Sequence, residues 1–229
     1  MLSFCDRTGF PVVALPSLGF DVQLLPVTKV QFEMFMAEPN EFNDSWYSGV
    51  LDVNPRVSHL CATDENREQL FLTGILPAEA DTFAKWLGSG WCLPTMDLWR
   101  RIRALLEVTI CRPCIERMQT ETLAPAAAGI LRCLIAMVAP RNMAQFSMMA
   151  SGVLEWVRDG ESYGGLGSPR LSFAKLFCDP SYGDPVRSLR PGMRLHSFGF
   201  RLVRAHGSYT EGRNSDSRPL GVRRSSYAR

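Results

Sequence analysis

Gly152-Val153-Leu154-Glu155-Trp156-Val157-Arg158-Asp159 and the later Ser197-Phe198-Gly199-Phe200-Arg201-Leu202-Val203-Arg204 decide how this chain reads. Each alternates apolar with polar or small side chains around an aromatic ring, the pattern of a half-buried strand. Short strands of this type usually pair with one another, so the C-terminal part is expected to be sheet. Gly199 allows a backbone approach that a side chain would block. Arg201 is placed to hold a buried carboxylate such as Glu155, an ion pair expected to specify the fold.

Working outward, the periodicity becomes helical. Thr28 is a candidate N-cap for an amphipathic helix from Lys29 to Ala37. Pro39 to Gly49 reads as a polar, aromatic-containing loop. Pro77-Ala78-Glu79-Ala80-Asp81-Thr82-Phe83-Ala84-Lys85-Trp86-Leu87-Gly88 has Pro in its first turn, acids early and Gly as its stop. Ala80, Phe83, Ala84 and Leu87 form its apolar face. Leu93-Pro94-Thr95 caps a further helix from Met96 through Leu106. Residues 107–140 are rich in Ala, Leu and Cys and expected to be helical, with Pro113, Pro125 and Pro140 as breaks. Trp86, Trp99 and Trp156 are expected to pack in the core.

The chain has 229 residues, 46% hydrophobic and 21% charged, which suits one domain with a real core and a tail. A formal net charge of +2 makes no case for nucleic acid or a membrane. The apolar run from Ile130 to Ala139 is interrupted by Arg132 and is too short to cross a bilayer. Asp6 and Arg7 fall where a secretory peptide would carry its apolar stretch. Seven cysteines without regular spacing read as reduced thiols, so a cytoplasmic protein is expected.

Five segments, in order, resemble the formylglycine-generating enzyme (sulfatase-modifying factor) family, whose fold is a variant of the C-type lectin fold. Pro26-Val27-Thr28-Lys29-Val30-Gln31-Phe32 is similar to its "EVTNxQF" helix start. Glu79-Ala80-Asp81-Thr82-Phe83-Ala84-Lys85-Trp86-Leu87 is similar to "DAxAFCxWL". Leu93-Pro94-Thr95-Met96-Asp97-Leu98-Trp99 resembles "LPTEAEWE", with Met96 and Asp97 where Glu and Ala are usual. Ser151-Gly152-Val153-Leu154-Glu155-Trp156-Val157 resembles "GNVWEWV", and Gly199-Phe200-Arg201-Leu202-Val203 the closing "GFRLV". The resemblance implies an α+β domain over residues 1–204, with helices packed on a twisted, mostly antiparallel sheet, the last strand near the first, and a helical insertion at 100–140. Residues 205–229 are expected to form a flexible Arg-, Ser- and Gly-rich tail.

The family's oxidases hold copper between two cysteine thiolates a few residues apart, ahead of the closing "GFR". Soft Cu(I) needs both thiolates. Between Gly164 and Phe198 this chain has one cysteine, Cys178, near the family's second position, while Phe173 stands near the first. Related sulfoxide synthases use three iron-binding histidines, whereas His59, His196 and His206 are scattered here. No cofactor is therefore expected, no metal site is assigned, and Cys178 is the weak catalytic candidate.

Other candidates read blandly. Cys111-Arg112-Pro113-Cys114 has the spacing of a redox or zinc half-site without a second pair. Asn40, Asn43 and Asp44 fit a polar turn better than a calcium loop. Gly164-Gly165-Leu166-Gly167 does not lead from a parallel strand into a helix, so it is no dinucleotide motif.

Three function classes follow. The leading one is a non-catalytic, pseudoenzyme-like protein-binding module or accessory subunit of a larger complex, acting through loops after Asp159. Tyr163, Arg170, Phe177, Tyr182, Arg187 and Arg190 are its expected anchors, because aromatic and Arg side chains dominate binding energy. The second is a metal-dependent oxidase or modifying enzyme using Cys178. The third is an accessory subunit of a nucleic-acid-handling complex, suggested by Arg187, Arg190, Arg194 and the tail. No membrane partner is expected.

Overall fold

The computed structural model describes residues 2–118, 123–150, 152–167, 194 and 197–206. The order of elements follows from the caps. After β1 (Leu2–Cys5), β2 (Pro11–Leu15) and β3 (Phe20–Gln23) comes α1 (Lys29–Met36). Thr28 opens α1 with a reciprocal capping box: its hydroxyl accepts from the Gln31 amide, and Gln31 accepts from the Thr28 amide at 3.0 Å.

The segment read as a loop from Pro39 to Gly49 is instead the entry to α2 (Asp44–Val53). Asn43 caps it by accepting from the Trp46 amide at 2.8 Å, and Val50 and the rings of Phe42 and Trp46 turn toward the core. A 3-10 turn (Arg67–Leu70) leads to α3 (Pro77–Leu87), whose Ala80, Phe83, Ala84 and Leu87 are all buried. β4 (Trp91–Cys92) precedes α4 (Met96–Glu107), capped by Thr95 on the Leu98 amide. Within 107–140 lie α5 (Arg112–Met118) and α6 (Pro125–Val138), followed by α7 (Met143–Phe146). Pro113 and Pro125 start helices rather than break them, as fits a residue whose missing N–H is no loss in a first turn.

The C-terminal strands are β5 (Leu154–Asp159), β6 (Ser162–Leu166), β7 (Phe198–Gly199) and β8 (Val203–Ala205). The first sheet has the order β1-β2-β3-β8-β4, antiparallel throughout; the second is β6-β5-β7. β5 pairs antiparallel with β6 and parallel with β7. The two opening sequences thus meet at Leu154↔Phe198 and Glu155↔Gly199. The last strand lies between β3 and β4, separated from the first by β2 and β3.

Two expectations about these strands change. "GFRLV" is not one strand: it leaves the second sheet after Gly199 and enters the first at Val203. Neither segment is half-buried: residues 152–157 and 197–204 are buried at every position, and the first sheet is covered on both faces. Val13, Leu15, Val22 and Val203 join a core with α4, α6 and α7. Val12 and Leu202 join a second core with α1, α3, Trp156 and Phe198. Gly165 makes that second core possible: a Cβ there would lie 2.2 Å from the Phe198 ring. The domain takes in Ala205, in β8, and His206, whose ring nitrogen lies 2.9 Å from the Asp21 carboxylate. No described helix is long and apolar enough to cross a membrane.

Candidate functional site

Three polar constellations link elements far apart in sequence, and they differ in what they leave open. The deepest joins Trp99 of α4, Glu155 of β5 and Arg201 between β7 and β8. Glu155 Oε2 accepts from Trp99 Nε1 at 2.8 Å and from Arg201 Nε at 3.0 Å, while Oε1 accepts from Nη2 at 2.9 Å. Arg201 donates its remaining N–H groups to the carbonyls of Gln23 (2.9 Å), Leu24 and Ser147 (2.6 Å). All five guanidinium donors are thus used, and both side chains are 1% exposed. This cluster is sealed from any ligand. Trp156 is buried beside it and donates to the Ile75 carbonyl at 2.6 Å.

The second constellation closes the N-terminal end of α3. Glu79 takes both guanidinium nitrogens of Arg194, at 2.6 and 2.5 Å. It also accepts from Trp46 Nε1 at 3.1 Å and from the Leu76 amide at 2.8 Å, and the Arg194 guanidinium lies over the Trp46 ring, 5.5 Å from its centroid. Arg194, grouped by sequence with cations facing a polyanion, is turned inward onto a carboxylate and is spent on structure.

The third lies at the surface. Arg158 and Tyr163 are direct cross-strand neighbours in the β5–β6 hairpin, and both reach Asp81 on α3. Asp81 Oδ1 accepts from Arg158 Nη2 at 3.0 Å, and Oδ2 accepts from the Tyr163 hydroxyl at 3.2 Å. Arg158 Nε is buried without a hydrogen-bond partner. Burial, then the Asp81 charge and its hydrogen bond, push the Tyr163 hydroxyl above its usual value. Tyr163 nonetheless stays 39% exposed. Nearby Cys92 has its thiol pushed up by burial, against the pull of Arg158, so it is no ready nucleophile at neutral pH.

Of the anchors expected from sequence, Tyr163 is held at this surface. Arg170, Phe177, Tyr182, Arg187 and Arg190 lie outside the described residues, as do Cys178 and His196. Cys111 donates its thiol to the Pro140 carbonyl at 3.0 Å, and burial raises its pKa, so it behaves as a packed thiol. Asn40 accepts the Phe42 amide and donates to the Phe35 and Glu38 carbonyls, the polar turn expected of it. Trp86 is only partly buried and donates to Glu38 at 2.8 Å. Among the described residues no group of three His, Cys, Asp or Glu side chains is arranged to hold a metal ion.

Sequence reasoning missed Asp81, Arg158 and Lys29. Lys29 is 2% exposed and donates to the Pro55 carbonyl at 2.8 Å and to the Gln69 carbonyl, tying the segment between α2 and α3 to the start of α1. Burial brings its ammonium down to about 7. Nothing in the sequence marked it, since a lysine after a helix cap is ordinarily solvated.

No family model matches the chain, and no curated protein matches it.

Proposed function

We propose that this chain is a formylglycine-generating-enzyme-like variant of the C-type lectin fold, working as a non-catalytic protein-binding or accessory module. The carrying observation is the convergence of Trp99, Glu155 and Arg201, one from each of three separate motifs, on one fully satisfied buried cluster. The motif residues there hold the scaffold and leave no group exposed to a substrate. Recognition then falls on the face beyond β6, where Asp81 and Arg158 hold Tyr163 in a fixed, partly exposed pose. A ring immobilised before contact loses little entropy on binding, and Arg170, Phe177, Tyr182, Arg187 and Arg190 extend the same stretch of chain.

The test has two arms. Purified protein is expected to bind Cu(I) no better than Cys178→Ala and to consume no oxygen with a Cys-x-Pro-x-Arg peptide. Oxygen uptake abolished by Cys178→Ala would establish the oxidase instead. A partner isolated from the native host is expected to lose affinity for Tyr163→Ala and for Tyr182→Ala/Arg187→Ala, at unchanged melting temperature. Retained affinity in both variants places the docking face elsewhere.

A further inference from the structure

A crevice of about 190 Å³ lies among α5, α6 and α7, away from the three polar constellations. Its walls follow from helix spacing. On α6, Ala128, Leu131, Arg132 and Ile135 lie on one stripe; on α5, Ile115 and Met118 lie three apart and face it. Phe146, Leu131 and Met118 are buried at its depth. Apart from Arg132, every lining side chain is apolar. Arg132 is exposed at the mouth, and no described residue gives it a hydrogen bond or ion pair. The nearest acid in sequence on α5, Glu116, is committed to Arg112 at 2.9 Å.

Size and charge together define the occupant. An apolar cavity of roughly 150 Å³ stays dry and accepts benzene, so this crevice suits an apolar body of about six to eight carbons. A lone cation at the mouth of an apolar slot favours a ligand with an anionic head, since a guanidinium pairs with a carboxylate in a bidentate fork. The geometry points to a binding site for a small amphipathic monocarboxylate, its body between α5 and α6 and its carboxylate on Arg132.

Octanoate is the probe, with octan-1-ol and octylammonium as comparators, titrated calorimetrically and by methyl NMR into the full chain. Octanoate is expected to bind saturably, with a dissociation constant on the order of 0.1 mM for ten heavy atoms. It is expected to shift the methyls of Ile115, Leu131 and Ile135. Arg132→Ala should weaken it about five-fold, as for an exposed ion pair, and erase the preference over octan-1-ol. Ala128→Phe or Ile135→Trp, each filling the crevice, should abolish binding while circular dichroism remains native. The assignment is overturned by absence of saturable binding, by octylammonium binding as well as octanoate, or by methyl shifts confined to other parts of the molecule. Unchanged binding in a folded crevice-filling variant overturns it equally.

Discussion

Replacing Glu155 with Gln keeps the side chain's shape and removes one charge from a site that water does not reach. Arg201 would then sit 1% exposed as a cation without a counter-ion, still holding three carbonyls. Removing one partner of a buried pair costs about 3–5 kcal/mol. The upper half of that range applies, because an amide has one acceptor oxygen where Glu155 uses two, and its NH₂ would face the guanidinium. Elsewhere, swapping both members for apolar residues is often neutral. That escape is closed here. Arg201 also serves the Gln23, Leu24 and Ser147 carbonyls, and each buried polar group left without its partner costs about 1–3 kcal/mol. Glu155→Leu/Arg201→Met should therefore be at least as unstable as Glu155→Gln. Equilibrium urea unfolding by fluorescence and circular dichroism measures both, with a constant slope as the check on comparability. A loss under 1 kcal/mol in Glu155→Gln, or a double variant within 1 kcal/mol of the parent, refutes the reasoning.

Two further outcomes can be stated. Burial brings the folded Lys29 ammonium to about 7, against about 10.4 for an ordinary lysine, so between those values the unfolded chain holds a proton that the native state has shed. Stability should rise with pH, by about 1.5 kcal/mol from pH 7 to 8.5 from this group alone; Lys29→Met should lack that increment, and equal slopes would exclude it. Gly165→Ala should cost about 1–3 kcal/mol through overlap with the Phe198 ring, and Phe198→Leu should recover part of it in a double-mutant cycle; simple additivity would show that the two do not touch.

How much of this was legible depended on sequence distance. Thr28, Thr95 and the Ala80–Leu87 stripe are local signals, and the helices they announce are present. The Asn43 cap is equally local, yet Pro39 to Gly49 carries no continuous apolar stripe, so the first half of α2 reads as loop. The alternation around Trp156 suggested a solvated face. Glu155 instead points inward to a cation 46 residues on, and a polar residue in a strand does not announce whether its partner is water or protein. The Asp81–Arg158–Tyr163 surface joins residues 77 and 82 positions apart, and Asp81 alone looked like an acid favouring the start of a helix.

β8 has a consequence for the life of the chain before it is folded. The strand that fills the gap between β3 and β4 is made last among the described elements, and the Arg201 contacts to Gln23 and Leu24 span 178 and 177 residues. Closing so long a loop is entropically costly before its contacts repay it, and folds dominated by such pairings form slowly. During synthesis, β3 must leave the ribosome with one hydrogen-bonding edge open, and both cores must wait for residues 198–203. A nascent chain in that condition exposes apolar surface and an unpaired strand edge, the features that draw chaperones and invite aggregation. The closing segment acts as a latch on the whole molecule, so ribosome stalling shortly before Ser197 would leave a chain that has its helices and hairpins but neither sheet complete.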